Sequence, residues 1–346
     1  MKRSSIQVFM CVIAFFLASS TVAAAQSQTT FLYQLRQDGS IWEYVGPACS
    51  GNSCPGWRQL DSNPATSDIT AGKADLFQHH MDGSIWIYTG PQPCNASSCN
   101  HWGRIDNNPS TIEIAADGIG SLYQLHASDL SIWWFCGGNT CPGWAKIDNN
   151  PSTNNILNVS GAVQDLLQLH FDGSIWQFLE MLCNGNSCPG WRELDHNPAT
   201  VSVVEGDQIN QLHADGSIWQ FTGPACSGNS CPGWKKLDAN PRAVQIAAGE
   251  TGINGANTLY QLHNDGSIWS YTGTPCSGNS CPGWQRLDDN PSAALIIAAG
   301  RALYQLHSDG SIWSYTGPPC SGNSCPGWQK LDDNPITVDI KAGFFF

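Results

Sequence analysis

Gln261, His263, Trp269 and Tyr271 fall within one short stretch, LYQLHNDGSIWSYTG (Leu259 to Gly273). A sugar ring presents a face of C–H bonds and an edge of hydroxyls. It is held by an aromatic surface beside planar polar groups that both donate and accept hydrogen bonds. The same residue types return as Gln305, His307, Trp313 and Tyr315, and as Gln211, His213 and Trp219. A second tryptophan follows each set at the end of a cysteine loop, at Trp234, Trp284 and Trp328. All of these are candidate carbohydrate contacts.

Their convergence depends on the turn Asn264-Asp265-Gly266. As a three-residue loop with Gly266 in the left-handed region, it pairs His263 with Ser267 and sets Trp269 opposite Gln261. Gln261, His263, Trp269 and Tyr271 then share one face. As a two-residue loop it shifts the register by one, and Trp269 joins Tyr260 and Leu262 in a core between sheets. A tryptophan repeated in every unit is by default a packing residue, and a repeated histidine is by default a hydrogen-bonded structural one.

The elements that carry these residues repeat. The tryptophan of the "SIW" segment recurs at Trp42, Trp86, Trp133, Trp176, Trp219, Trp269 and Trp313, and the cysteine-loop tryptophan at Trp57, Trp102, Trp144, Trp191, Trp234, Trp284 and Trp328. Only Trp134 of the 15 tryptophans lies outside the pattern. A glutamine matches Gln261 in every unit (Gln34, Gln78, Gln124 and Gln168 in the first four), and a histidine matches His263 in all but the first, where Arg36 stands. In the sixth unit LYQLH and SIWSYTG alternate about a hairpin turn, WQRLD follows, and Asp289-Asn290-Pro291 stops it before the apolar run LIIAAG (Leu295 to Gly300). Four short strands at a period of 43 to 50 residues predict an all-β fold, a seven-bladed β-propeller with four antiparallel strands per blade. The N-terminal part enters a unit without its apolar strand, and ITVDIKAG (Ile336 to Gly343) supplies it. Pairing of the two chain ends in one blade is therefore expected to close the ring. Asp-Asn pairs before proline, such as Asp288-Asp289-Asn290, read as turn formers in preference to calcium ligands.

Fourteen cysteines fall into C-x4-C pairs: Cys49 with Cys54, Cys94 with Cys99, Cys136 with Cys141, Cys183 with Cys188, Cys226 with Cys231, Cys276 with Cys281, and Cys320 with Cys325. An even count at fixed local spacing reads as one disulfide per blade. Metal is the rival, but no histidine lies in these loops, and neither a metal nor another cofactor is expected. Residues 1–25 carry a basic start, an apolar run and a small-residue tail, the pattern of a cleaved secretory signal ending at Ala25. Residues 26–346 then form the single propeller domain, exported to the extracellular space or the periplasm. Two sequons, at Asn95 and Asn158, would accept glycans in a glycosylating host.

Removing a leader with two positive charges and no negative ones takes the formal net charge from -13 to -15. Such an acidic surface argues against nucleic acid and anionic lipid as partners, and no later segment suits membrane insertion.

With LYQLH, DGSIW and PGW recurring through its units, the chain from about Phe31 onward resembles the tectonin and tachylectin type of β-propeller lectin. The resemblance implies a non-catalytic ring that binds glycans or glycoconjugates on a cell or polymer surface, with sites repeated blade by blade. A propeller that holds a protein partner, as an adhesin or inhibitor, is the alternative; it would concentrate its variation on one face of a few blades. An enzyme would set a carboxylate pair or a nucleophile into one or two irregular units. The irregular stretches here, Ser128-Asp129-Leu130 and Leu179 to Met181, offer neither.

Overall fold

The computed structural model describes residues 29–345, apart from 73–74, 91–93, 95–98, 100, 119, 139–140, 158–165 and 250–257. The expected signal segment and the sequons at Asn95 and Asn158 lie outside the described residues.

Among the described residues, twenty-eight strands form seven four-stranded antiparallel sheets. Blade 6 shows why this sequence folds so. Its strands run Ala243–Gly249, Thr258–His263, Ile268–Tyr271 and Trp284–Asp288, from the inner strand to the outer one. Leu262 pairs with Ile268 and Gln261 with Trp269, and the His263 N–H donates to the Ser267 carbonyl at 2.9 Å. Asn264-Asp265-Gly266 is thus a three-residue loop, with Gly266 at φ 82°. A Cβ there would lie 2.2 Å from the Asn290 carbonyl, so the turn also requires glycine because it packs on the blade's other end.

Alternation then gives each sheet two apolar faces. Tyr271 and Trp284 of blade 6 pack against Leu212, Ile218 and Leu237 of blade 5, while Tyr260, Leu262 and Ile268 pack against Leu303 and Ile296 of blade 7. Both faces of the sheets are therefore buried against neighbours, and the core is divided into seven such layers.

Three polar links sew the joint between blades 5 and 6. The Trp284 indole N–H donates to the Leu237 carbonyl (3.0 Å), and Gln261 Nε2 donates to Asp238 Oδ2 (2.8 Å). The Cys276 N–H donates to the Lys236 carbonyl (3.2 Å). The cysteine loop and the tryptophan behind it thus cap the outer strand of the preceding blade, an edge otherwise open to pairing with another chain.

The ring closes by the same chemistry. Thr337–Phe345 is the inner strand of blade 1 and pairs with Thr29–Arg36. Blade 7 meets blade 1 through Trp57 to the Leu331 carbonyl (2.8 Å), Gln34 to Asp332 (3.0 Å) and Cys49 to the Lys330 carbonyl (3.0 Å).

Six disulfides are formed among the described residues, each across the expected spacing. Cys49 is bonded to Cys54, Cys94 to Cys99, Cys183 to Cys188, Cys226 to Cys231, Cys276 to Cys281 and Cys320 to Cys325. The side chains of Cys136 and Cys141 lie outside the described ones. Such bonds fit an oxidising compartment. They also answer the metal alternative for these loops. His196 stands close to Cys226 and Cys231, but both sulfurs are spent on each other and neither is a thiolate free to bind an ion.

One link is incomplete in two blades. Glutamine Oε1 accepts from a threonine hydroxyl of the inner strand in blades 1 to 5, as in Thr200 to Gln211 at 2.8 Å. Ala243 and Ala293 stand at that position in blades 6 and 7, and Gln261 Oε1 and Gln305 Oε1 are buried without a partner. Ala243→Thr is expected to raise stability by about 1 kcal/mol, read as a higher denaturation midpoint.

Candidate functional site

The hairpin register brings His263 and Trp269 together. Their rings stack with centroids 5.7 Å apart and planes 28° apart. The same stack recurs at His80/Trp86, His126/Trp133, His170/Trp176, His213/Trp219 and His307/Trp313. In blade 1 the Arg36 guanidinium takes the imidazole's place, 4.1 Å above the Trp42 ring. A cation of the outer strand approaches the indole from the other neighbouring strand in blades 2, 3 and 5, for example Lys236 at 5.6 Å from Trp219. Each of these tryptophans is half-buried, so the indole offers its outer edge more than a bare plane.

A chain of hydrogen bonds holds the pair. The Ser267 hydroxyl donates to Asp265 Oδ1 (2.7 Å), accepts from the Trp269 indole N–H (3.0 Å) and lies 3.1 Å from His263 Nδ1. The serine bonds hold the Asp265 carboxyl below the ordinary aspartate range. Burial, opposed by nearby carboxylates, lowers all six of these histidines. They are neutral at physiological pH.

In blades 6 and 2 the stack lies in a crevice at the joint with the preceding blade. At blade 6 the crevice measures about 500 Å³ and is lined by Asn240 and Arg242 on one side and by His263, Asp265, Ser267, Trp269, Arg286 and Asp289 on the other. Its counterpart at blade 2 is lined by Asp61 and Asn63 with Gln78, His80 and Trp86, and its far wall is formed by Cys99 and Trp102.

The other sequence candidates have different surroundings. Gln211, Gln261 and Gln305 are 1% exposed and donate to the preceding blade's aspartate. Trp234, Trp284 and Trp328 bond the preceding blade's carbonyls, at Leu194, Leu237 and Leu287. Tyr271 and Tyr315 share a face with the SIW tryptophans but lean on Trp284 and Trp328, at 5.3 and 5.2 Å. The cysteines divide as well. Cys188 and Cys281 are half-buried in their disulfide loops, and Cys281 does not line the crevice of its own blade. Cys99 does line the blade 2 crevice, but as half of a disulfide whose Sγ lies 3.7 Å from the Ser62 hydroxyl of the preceding blade. Asp61, Asn63, Asn240 and Arg242 join the crevices from neighbouring chain segments. The repeated Asp-Asn pattern was the one sequence signal for them, and there it read as turn chemistry.

The inner strands also surround an axial channel of about 380 Å³, lined mostly by small and apolar residues. Lys341 lies there, paired with Asp339 at 3.0 Å. Burial pushes Glu113, on the inner strand of blade 3, up to about 7. Lys341 also lies 4.0 Å from Asp68 of blade 2, and Glu113 accepts from the Ile156 N–H of blade 4, so these groups link neighbouring inner strands on one side of the ring.

The histidines set the pH dependence of stability. The folded imidazoles bind protons less readily than the unfolded ones, so the unfolded chain takes up more protons once the pH falls below the ordinary value of 6.5. Stability is complete above that value and is lost as the pH falls through the folded pKa values. Glu113, Asp68 and Asp148, whose carboxyls burial raises, oppose this by gaining stability as they protonate, but these three face seven lowered histidines once His79 is included. Thermal unfolding is expected at its highest midpoint near about pH 7.5 and clearly lower near about pH 5, with a second loss below about pH 4 from the turn aspartates.

No family model matches the chain, and comparison with curated proteins finds no match. Solved structures do match. Human WBSCR16 aligns with TM-score 0.57 at 11% identity over 92% of this chain and 97% of that one. Prp20p from Saccharomyces cerevisiae aligns with TM-score 0.54 at 12% identity over 89% and 87%. PorZ of Porphyromonas gingivalis aligns with TM-score 0.52 at 13% identity over 90% of this chain and 40% of its own. At such identities the likeness shows the β-propeller fold alone.

Proposed function

We propose that the protein is a secreted, non-catalytic lectin whose binding sites are the crevices between blades. The observation that carries this reading is the repetition of one His–Trp–Ser–Asp arrangement, half-open to solvent, at nearly every joint. A packing role alone would not need a partly exposed indole beside a polar crevice. The crevice pairs an apolar edge with fixed polar groups, the combination that a sugar's C–H face and hydroxyls require. Weak sites repeated on one rigid ring gain avidity on a surface that displays many copies of a glycan. In this reading the glutamines and the PGW tryptophans support the site from the joint, while the histidines and SIW tryptophans meet the ligand. The six disulfides hold loops whose bonds keep adjacent blades, and so the two sides of each crevice, in register.

A glycan array probed with the oxidised mature chain tests this. Binding to a defined set of glycans, increasing with their density, is expected. A blank array with the fold intact by circular dichroism would reject the lectin reading and favour a protein partner. Prp20p, whose likeness is one of fold alone, is described as binding Gsp1p and histones.

A further inference from the structure

In blades 2, 5 and 6 a serine hydroxyl lies 3.1 to 3.4 Å from histidine Nδ1 and determines which nitrogen is free. A hydroxyl has one proton and two lone pairs. Ser267 gives its proton to Asp265 and one lone pair to the Trp269 N–H, so toward His263 Nδ1 it can only accept. The imidazole is therefore the Nδ1–H tautomer, and Nε2 carries the lone pair. Blade 3 supports this independently. There Asn108 Nδ2 lies 3.2 Å from His126 Nε2, and Asn108 Oδ1 is already occupied by the Ser110 N–H, so the amide donates and the imidazole accepts.

The remaining histidines, His80, His170, His213, His263 and His307, are each 4 to 6% exposed, and their Nε2 atoms are buried without a partner. A buried acceptor left unpaired is costly, and a donor brought by a ligand removes that cost. In blade 1 Arg36 stacks on Trp42 and pairs with Asp332 at 3.5 Å, so that joint presents no acceptor.

Building on the lectin reading, we infer that Nε2 of these five histidines accepts a ligand hydroxyl, and that the ring has five working sites, in blades 2, 4, 5, 6 and 7. The chain's own donors fill the other two. Arg242 and Arg286 line the blade 6 crevice beside Asp265 and Asp289, which favours a neutral hydroxyl donor over an ammonium group. The site thus reads a sugar hydroxyl as donor, and an analogue lacking that proton, methylated or deoxygenated, is rejected.

Two measurements test this. In long-range proton–nitrogen NMR spectra of the free, oxidised chain, the crevice histidines are expected as Nδ1–H tautomers. Saturation with the glycan found on the array should shift the Nε2 signals of five and leave that of His126 in place, with five glycans bound per chain by native mass spectrometry. Arg36→His, which gives blade 1 the residue its six sister blades accommodate, should raise the count from five to six. Nε2–H tautomers, seven sites in the unaltered chain, or an unchanged count in Arg36→His would overturn the inference while leaving a glycan-binding ring in place. A blank array removes both readings together.

Discussion

Deleting residues 337–346 is expected to abolish cooperative unfolding of the whole ring. The deletion takes away the inner strand of blade 1 and, with it, Ile340 from the layer it shares with Leu32, Tyr304 and Leu306. It also removes the Thr337 hydroxyl that satisfies Gln34, at 2.7 Å, and exposes the pairing edge of Thr29–Arg36. An opened propeller has two unprotected sheet faces and a free strand edge, so aggregation should follow. Circular dichroism melting and size-exclusion chromatography read both effects. A peptide of residues 337–346 added during refolding should restore part of the cooperative transition. A truncated chain that melted as the full chain does would mean that the ring is not held by this strand.

The second large effect separates the two tryptophans of one blade. Trp284→Ala removes a ring that leans on Tyr271 and lies against Leu237, together with the bond to the Leu237 carbonyl 47 residues away. A cost of about 3 kcal/mol is expected for an aromatic ring lost from such a layer with its hydrogen bond. Trp269→Ala removes a half-buried ring whose N–H bonds only Ser267, two residues distant. Its cost should be about 1 kcal/mol because Trp269, unlike the equally half-buried Trp284, packs into no interblade layer. Binding should respond in the opposite order: Trp269→Ala reduces the number of glycans held per chain by one, whereas Trp284→Ala leaves the count unchanged at temperatures where the protein stays folded. Equal thermal losses in the two variants would place Trp269 in the core and remove it from the site.

Much of this architecture can be read along the chain because each blade is a local unit. Tryptophan spacing set the number of blades, alternation about Asn264-Asp265-Gly266 set the hairpin, and the C-terminal apolar strand implied closure. The cysteine pairing was equally local, since Cys94 and Cys99, or Cys276 and Cys281, are joined within one short loop. The register was open between two loop lengths. The pairing of His263 with Ser267 and of Gln261 with Trp269 resolves it in favour of the three-residue loop, with Gly266 left-handed and set against Asn290. Blade 3 departs from the rule. His126 pairs with Ser131 around a four-residue loop, and Leu130 takes the left-handed conformation at φ 53°.

The links between blades were not legible in the same way. Nothing local in PGW shows that Trp284 donates to Leu237, or that Gln261 spends its amide on Asp238, because those partners come together only when one sheet stacks on the next. The Gln, His, Trp and Tyr of the hairpin therefore formed one candidate set in the sequence. In the fold they divide between a joint, held by Gln261, Tyr271 and Trp284, and a crevice, lined by His263 and Trp269. The tautomer of His263 was further out of reach, since it follows from three hydrogen bonds made by a single serine.

The central claim is that glycans occupy the crevices between blades. The most direct measurement is the crystal structure of the oxidised mature chain with an array-positive glycan bound. The account predicts sugar density beside Trp86, Trp176, Trp219, Trp269 and Trp313, with a hydroxyl within hydrogen-bond reach of the facing histidine Nε2. Density confined to the axial channel around Lys341, with the five crevices occupied by water alone, would contradict it.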